Sequence, residues 1–218
     1  MKKKAFPLLL LSLLCLAGCS MSTLSAPGPA SGPAGSTGPV EGTLEVHYID
    51  VGQADAALLL CDGESMLIDG GNVEDGPLVV SYLEEQGVDT LDYVVCTHGH
   101  EDHVGGLADV LEAYEAGTVF SPVDEYDSTA FENFADATEA QGLSLTAPAP
   151  GDTFTLGEAQ VTILGPVKDC DDANDTSIVL RVDFDETAFL FTGDMEREAE
   201  ADLLDSGAEL WATVLKVG

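Results

Sequence analysis

Three of the four histidines fall within six residues, in the run Thr97-His98-Gly99-His100-Glu101-Asp102-His103. Before it, residues 91–96 read as a buried strand. After it come Gly105-Gly106 and a helical pattern over 107–116. A strand that passes through such a loop into a helix puts the loop at the carboxyl end of a sheet, where α/β proteins carry their sites. Imidazole and carboxylate at this density suit zinc, manganese or iron, and an ordinary core has no use for them.

The rest of the pattern supplies a mixed framework. Alternation or apolar runs predict strands over 44–50, 56–61 and 65–69, with a hairpin turn at Asp62-Gly63-Glu64. Amphipathic spacing predicts helices over 78–86, stopped by Gly87, and over 128–141, with Ser128 as N-cap. The 107–116 helix is expected to stop at Gly117 before a short strand over 118–121. The second half is strand-rich: 143–146, 153–156, 160–164, 177–182 and 188–192. A helix over 196–205 and a strand over 212–217 follow. The class is α/β (α+β): two mixed sheets facing each other under outer helices.

The N-terminus reads as an address. Met1-Lys2-Lys3-Lys4 is basic, 5–14 is a short apolar stretch, and Leu16-Ala17-Gly18-Cys19 closes it with small residues and a cysteine. The tetrapeptide resembles the lipobox of bacterial lipoproteins. That implies a signal peptide over 1–18, a lipidated Cys19 and an extracytoplasmic protein held on the membrane. Residues 19–43 hold that cysteine and a Ser/Gly/Pro/Ala-rich tether spanning roughly 25 Å, and residues 44–218 form the folded domain. Cys61 and Cys96 lie in apolar runs and read as small core residues, so no disulfide framework is expected.

Charge narrows the partners. Seven Lys+Arg stand against 40 Asp+Glu, a formal net charge of -33. Beyond residue 4 the basic residues are Lys168, Arg181, Arg197 and Lys216. Such a surface repels polyanions, so extended duplex nucleic acid is not an expected partner.

Asp69 and Asp194 each end a strand before or after glycine, in Asp69-Gly70-Gly71 and Thr192-Gly193-Asp194. Read alone, each is a turn. The His98-x-His100-x-Asp102-His103 run, however, resembles the HxHxDH signature of the metallo-β-lactamase superfamily. The resemblance implies an αββα sandwich and two divalent ions, zinc first, with manganese or iron as alternatives. His98 and His100 would hold one ion, Asp102 and His103 the other, and Asp194 would bridge them. Asp69 would orient a ligand histidine. Asp50-Val51-Gly52-Gln53-Ala54-Asp55 and Asn174-Asp175-Thr176-Ser177 are similar to segments of the ComEC-like competence branch, with Asn174 near the first ion. His47 reads as a strand residue. In that branch a His-His-Gly-Ser segment follows a strand like Val214-Leu215-Lys216-Val217-Gly218, so the sequence is expected to be a piece of a longer protein, incomplete in fold at its C-terminus.

The resemblance implies a metal-bound hydroxide as nucleophile, with Asp102 and Asp194 fixing the water. The expected activity is a phosphodiesterase or nuclease-like hydrolase taking small or single-stranded substrates. A cell-envelope ester hydrolase and a non-catalytic metal-binding surface lipoprotein are the alternatives.

Overall fold

The structure, a computed structural model, describes residues 42–218. The expected signal peptide, the lipidated Cys19 and nearly all of the tether lie outside the described residues. Strands β1 (Leu44–Tyr48), β2 (Ala57–Cys61) and β3 (Glu64–Ile68) form an antiparallel meander. The β2–β3 hairpin pairs Cys61 with Glu64, so its turn is Asp62-Gly63 alone. Both residues have positive φ, +50° and +92°, which matches the right-handed strand twist.

Strands β4 (Leu91–Val95), β5 (Ala116–Phe120) and β6 (Leu145–Thr146) extend this sheet in parallel, in the order β1-β2-β3-β4-β5-β6. Helices α1 (Gly76–Glu85), α2 (Glu101–Val104), α3 (Leu107–Ala113) and α4 (Thr129–Ala140) form the connections. A second sheet has the order β11-β10-β9-β8-β7, from β7 (Thr153–Leu156), β8 (Ala159–Gly165), β9 (Val179–Phe184), β10 (Thr187–Phe191) and β11 (Val214–Lys216). Only β10–β11 is parallel there, so both sheets are mixed, as expected. Helix α5 (Arg197–Ser206) is the last helix.

Period-two alternation sorts the strands into layers. Leu58 on β2 and Val94 on β4 pack with Val79, Leu83, Val110 and Phe134 from the helices. Their neighbours Leu59 and Val95 face Leu156, Ile163, Leu180 and Phe191 of the second sheet. Strands buried on both faces must be apolar throughout, which is why they show no alternation in sequence. Leu190 and Leu203 join a smaller cluster between β10 and α5. Cys61 and Cys96 are buried and free.

Several boundaries differ from the sequence expectation. Helix α3 ends at Ala113, three residues early, and β5 begins at Ala116. The β4 ladder captures that stretch, with Leu91 N–H donating to the Glu115 carbonyl at 2.9 Å. Gln141 Nε2 meanwhile donates to the Leu111 and Tyr114 carbonyls, at 2.6 and 2.8 Å, closing the helix end. Helix α1 starts two residues early, after a 3-10 turn over Val73–Asp75, because Pro77 is tolerated in a first turn. Ser128 caps α4 as expected, its Oγ accepting from Phe131 N–H at 3.2 Å.

Candidate metal centre

The histidine loop leaves β4 at Thr97 and turns at once into α2, a single helical turn that His100 caps with extended backbone. The turn is held from beneath. Gly70 N–H donates to the His103 carbonyl at 2.7 Å, and Gly106 packs so tightly that a Cβ there would lie 2.1 Å from the Gly70 oxygen. The two glycine pairs, read as loop punctuation in the sequence, are where the β3 and α2 loops interlock.

Asp69 ends β3 with φ +59°, a left-handed geometry that aspartate tolerates better than most residues. It is fully buried. Its Oδ1 accepts from Thr97 N–H at 2.7 Å, and its Oδ2 accepts from Thr97 Oγ1 at 2.7 Å. The same Oδ2 lies 2.9 Å from His103 Nδ1. With Nδ1–H donated to that carboxylate, Nε2 is the nitrogen turned toward the opposite sheet. It points at Asp194 Oδ1, 3.3 Å away.

Asp194 comes from the opposite sheet, in the loop after β10. Its own N–H donates to Ser177 Oγ at 3.1 Å, and Thr192, two residues earlier, donates its N–H and hydroxyl to the Lys216 carbonyl on β11. His98 is wholly buried, its Nε2 is 3.0 Å from His100 Nδ1, and its ring centroid is 4.1 Å from that of His103. Donor atoms of His98, His103 and Asp194 all lie within 4.8 Å of one another, and so do those of Asp55, Asp69 and His103. Two imidazoles and a carboxylate converging from two sheets are a fit donor set for a divalent ion.

The electrostatics follow from this packing. Burial, then the neighbouring His103 charge, pushes His98 down to about 4, so its ring is neutral and able to donate to a metal. Burial acts to lower His103 too, but its hydrogen bonds to Asp194 and Asp69 prevail and raise it to about 10. The His103 bond holds Asp194 below the usual carboxylate range despite its partial burial.

The remaining sequence candidates sit as follows. His100 touches His98, and its other neighbour is the Tyr126 ring, edge-on at 5.9 Å. Asp102 is partly buried on α2 and its carboxylate joins neither donor group; its backbone carbonyl accepts from Asp55 N–H at 3.0 Å. Asn174 opens a 3-10 turn over Asn174–Thr176 and donates from Nδ2 to Glu196 Oε1 at 3.0 Å. Its buried Oδ1 has no partner, and the residue lines a groove of about 540 Å³ with Asp194, Met195 and Leu215. Asp175 beside it is a helix anchor, accepting from Glu196 and Ala199 N–H at the start of α5. His47 bonds Tyr82 on α1, as a strand residue would.

Sequence reasoning assigned no role to Asp55, Thr97, Ser177 or Lys216. Asp55 and Ser177 stood inside the quoted segments. Lys216 carried the clearest signal, a cation in an otherwise apolar strand.

Residues 49–217 match the metallo-beta-lactamase superfamily. ComE operon protein 3 of Bacillus subtilis is 25% identical over 193 residues, covering 80% of this chain and 25% of that protein. Recombination protein 2 of Haemophilus influenzae is 26% identical over 166 residues, covering 72% of this chain and 19% of that protein. The chain thus spans a quarter or less of the length of these two relatives. Among solved structures, a HARLDQ-motif mutant of a metallo-beta-lactamase from Cronobacter sakazakii shares the fold with a TM-score of 0.55 at 15% identity, covering 82% of this chain and 78% of that one.

Proposed function

The chain belongs to the metallo-beta-lactamase superfamily of metal-dependent hydrolases, and on that premise we propose that it holds two divalent cations and cleaves small or single-stranded phosphodiesters while anchored to the outer face of a cell membrane. The observation that carries this reading is the convergence of His98, His103 and Asp194 with Asp69 behind His103. In this reading His98 and His100 would hold one ion and Asp102 and His103 the other, with Asp194 as a ligand near both; of these, His98, His103 and Asp194 are already within reach of one another. Zinc suits the imidazole-rich set; manganese and iron are the alternatives. Bound there, such ions would supply Lewis-acid activation of water near neutral pH and would offset charge on the reacting oxygens.

The chain's own residues prepare that chemistry. Asp69 retains the Nδ1 proton of His103, which fixes the tautomer and aims Nε2. Burial keeps His98 neutral. Asp194 stays ionised between the imidazoles. Asn174 lines the groove beside Asp194.

The resemblance of Asp50–Asp55 and Asn174–Ser177 to the ComEC-like branch is what favours a phosphodiester in this reading. Charge limits its size. Lys168, Arg181 and Lys216 are already committed to Asp202, Asp183 and Asp55. A long phosphate backbone needs many cations to neutralise it, whereas one or two phosphates need only the metal pair. The Leu16-Ala17-Gly18-Cys19 segment and the tether behind it support the anchor.

Protein reconstituted with zinc or manganese is expected to hydrolyse a chromogenic phosphodiester and short single-stranded DNA faster than a carboxyl ester or a β-lactam. His98→Ala and Asp194→Ala are each expected to lose at least about 100-fold in rate. Turnover of the carboxyl ester alone would move the assignment to an envelope esterase. Metal uptake with no turnover would leave a metal-binding surface protein. Fatty-acid labelling of the wild type but not of Cys19→Ala checks the anchor.

A further inference from the structure

Two carboxylates face the same nitrogen of His103. Asp69 Oδ2 is 2.9 Å from Nδ1 and Asp55 Oδ2 is 3.8 Å from it. Only one can take the Nδ1 proton, and which one does so sets the tilt of the ring and the aim of Nε2. Asp55 Oδ2 is buried without a regular hydrogen bond, so nothing in its own loop disposes of its charge.

The Lys216 ammonium packs directly against that oxygen. Lys216 lies on β11 of the second sheet and is largely buried, with 18% of its side chain exposed. Together with Asp55, Asp69, Thr97 and Gly193 it lines a small gap. The same residue's carbonyl holds both the N–H and the hydroxyl of Thr192, two residues before Asp194. One residue therefore touches the carboxylate that rivals Asp69 for His103 on one sheet and the support of Asp194 on the other. Burial draws its amine down to about 8.

We propose that Lys216 and Asp55 form a cross-sheet positioning pair, in which the ammonium neutralises Asp55 and keeps it off His103, leaving Asp69 as the sole acceptor of the Nδ1 proton. The pair touches neither substrate nor metal and acts through His103 and the Asp194 loop. It accounts for the Asp55, Asp69 and His103 donor group as a neutralised floor rather than an ion site. A buried pair of this kind adds little net stability, but removing one member leaves a buried charge with no counterpart. This assignment rests on the metal-centre reading above, and its test separates the two.

Lys216→Met, Lys216→Arg, Asp55→Asn and the double variant Asp55→Asn/Lys216→Met are compared with wild type by two readouts. The first is cobalt(II) affinity and the ligand-field spectrum of the cobalt protein. The second, on metal-free protein, is the set of His103 ring-nitrogen shifts and the downfield Nδ1–H resonance. Lys216→Met is expected to weaken cobalt binding about 10- to 100-fold, the range for supports of metal ligands, and to move the His103 signals. Lys216→Arg is expected to restore both. The double variant, with both charges gone, is expected to bind within about threefold of wild type. Lys216→Met with wild-type affinity and unmoved His103 signals would overturn the pair, as would a double variant as weak as the single one. If Lys216→Met does not fold, Asp55→Asn and the double variant decide: both must keep the wild-type His103 signals, since neither leaves a competing carboxylate. Wild-type protein that takes up no cobalt would overturn the metal reading instead, and the metal-free His103 signals would still judge the pair.

Discussion

The donor cluster is assembled from two loops of unequal construction. On the first sheet, His98, His103, Thr97 and Asp69 are all buried, and the Asp69 carboxylate accepts from a backbone N–H, a hydroxyl and an imidazole. On the second sheet, Asp194 is only partly buried and its support is one backbone bond to Ser177 and the strand pairing through Thr192. Beyond Asp194 the second sheet opens into a groove that Asn174, Met195, Leu215 and Val217 line. The difference teaches where precision and access lie. A buried, fully hydrogen-bonded loop holds its geometry with or without an ion. A half-exposed loop can admit substrate and adjust.

The largest effect that would break this contrast is Asp69→Asn. The amide keeps the shape but loses the charge that holds His103, and the Thr97 N–H and hydroxyl then face a group with only one acceptor oxygen. Metal affinity, measured by competition with a chromophoric chelator, is expected to fall about 10- to 100-fold. A smaller loss than in Ser177→Ala would reverse the ranking of the two loops.

Proton linkage sharpens it next. In metal-free protein His103 stays protonated up to about 10, so an ion binding Nε2 must displace a proton. Apparent metal affinity is expected to rise by up to about tenfold per pH unit between pH 7 and 9. A flat profile would mean that His103 is not a ligand. Stability of the metal-free protein follows the same shifts with a definite sign. The raised His103 contributes stability that is full below its ordinary 6.5 and is lost as pH rises towards 10. The depressed His98 costs nothing above 6.5 and destabilises as pH falls towards 4, because the unfolded chain then takes up the extra proton. Thermal unfolding is thus expected to peak near pH 6.5 and to decline on both sides.

The smallest effect is expected on the open side. Ser177→Ala removes the acceptor for Asp194 N–H and is expected to cost about 0.5–1.5 kcal/mol of stability and less than about tenfold in metal affinity.

Much of this was legible in one dimension. The β2–β3 hairpin, the Ser128 cap and the strand-to-helix position of the histidine loop are all short-range, set by turn chemistry and side-chain period. The candidate donors His98, His100, Asp102 and His103 stood out by clustering, whereas Asp69 and Asp194 read alone as turns and took a role only from the resemblance. The overrun of α3 past Ala113 shows the limit. Its helical pattern continues to 116, but the β4 ladder and the Gln141 side chain, 25 residues or more away, take those residues instead.

What the sequence alone determined is therefore the set of elements, the two buried sheets and the chemical type of the centre, since periodicity and composition are local properties of a chain. The order of strands, the partnership of Asp194 with His103, and the meeting of Lys216 with Asp55 across 161 positions were decided only by the tertiary structure. A charge placed in an apolar strand reveals that it needs a partner, but not which one. The choice is made when two sheets close on a shared core and every buried charge must find its opposite within a few ångströms.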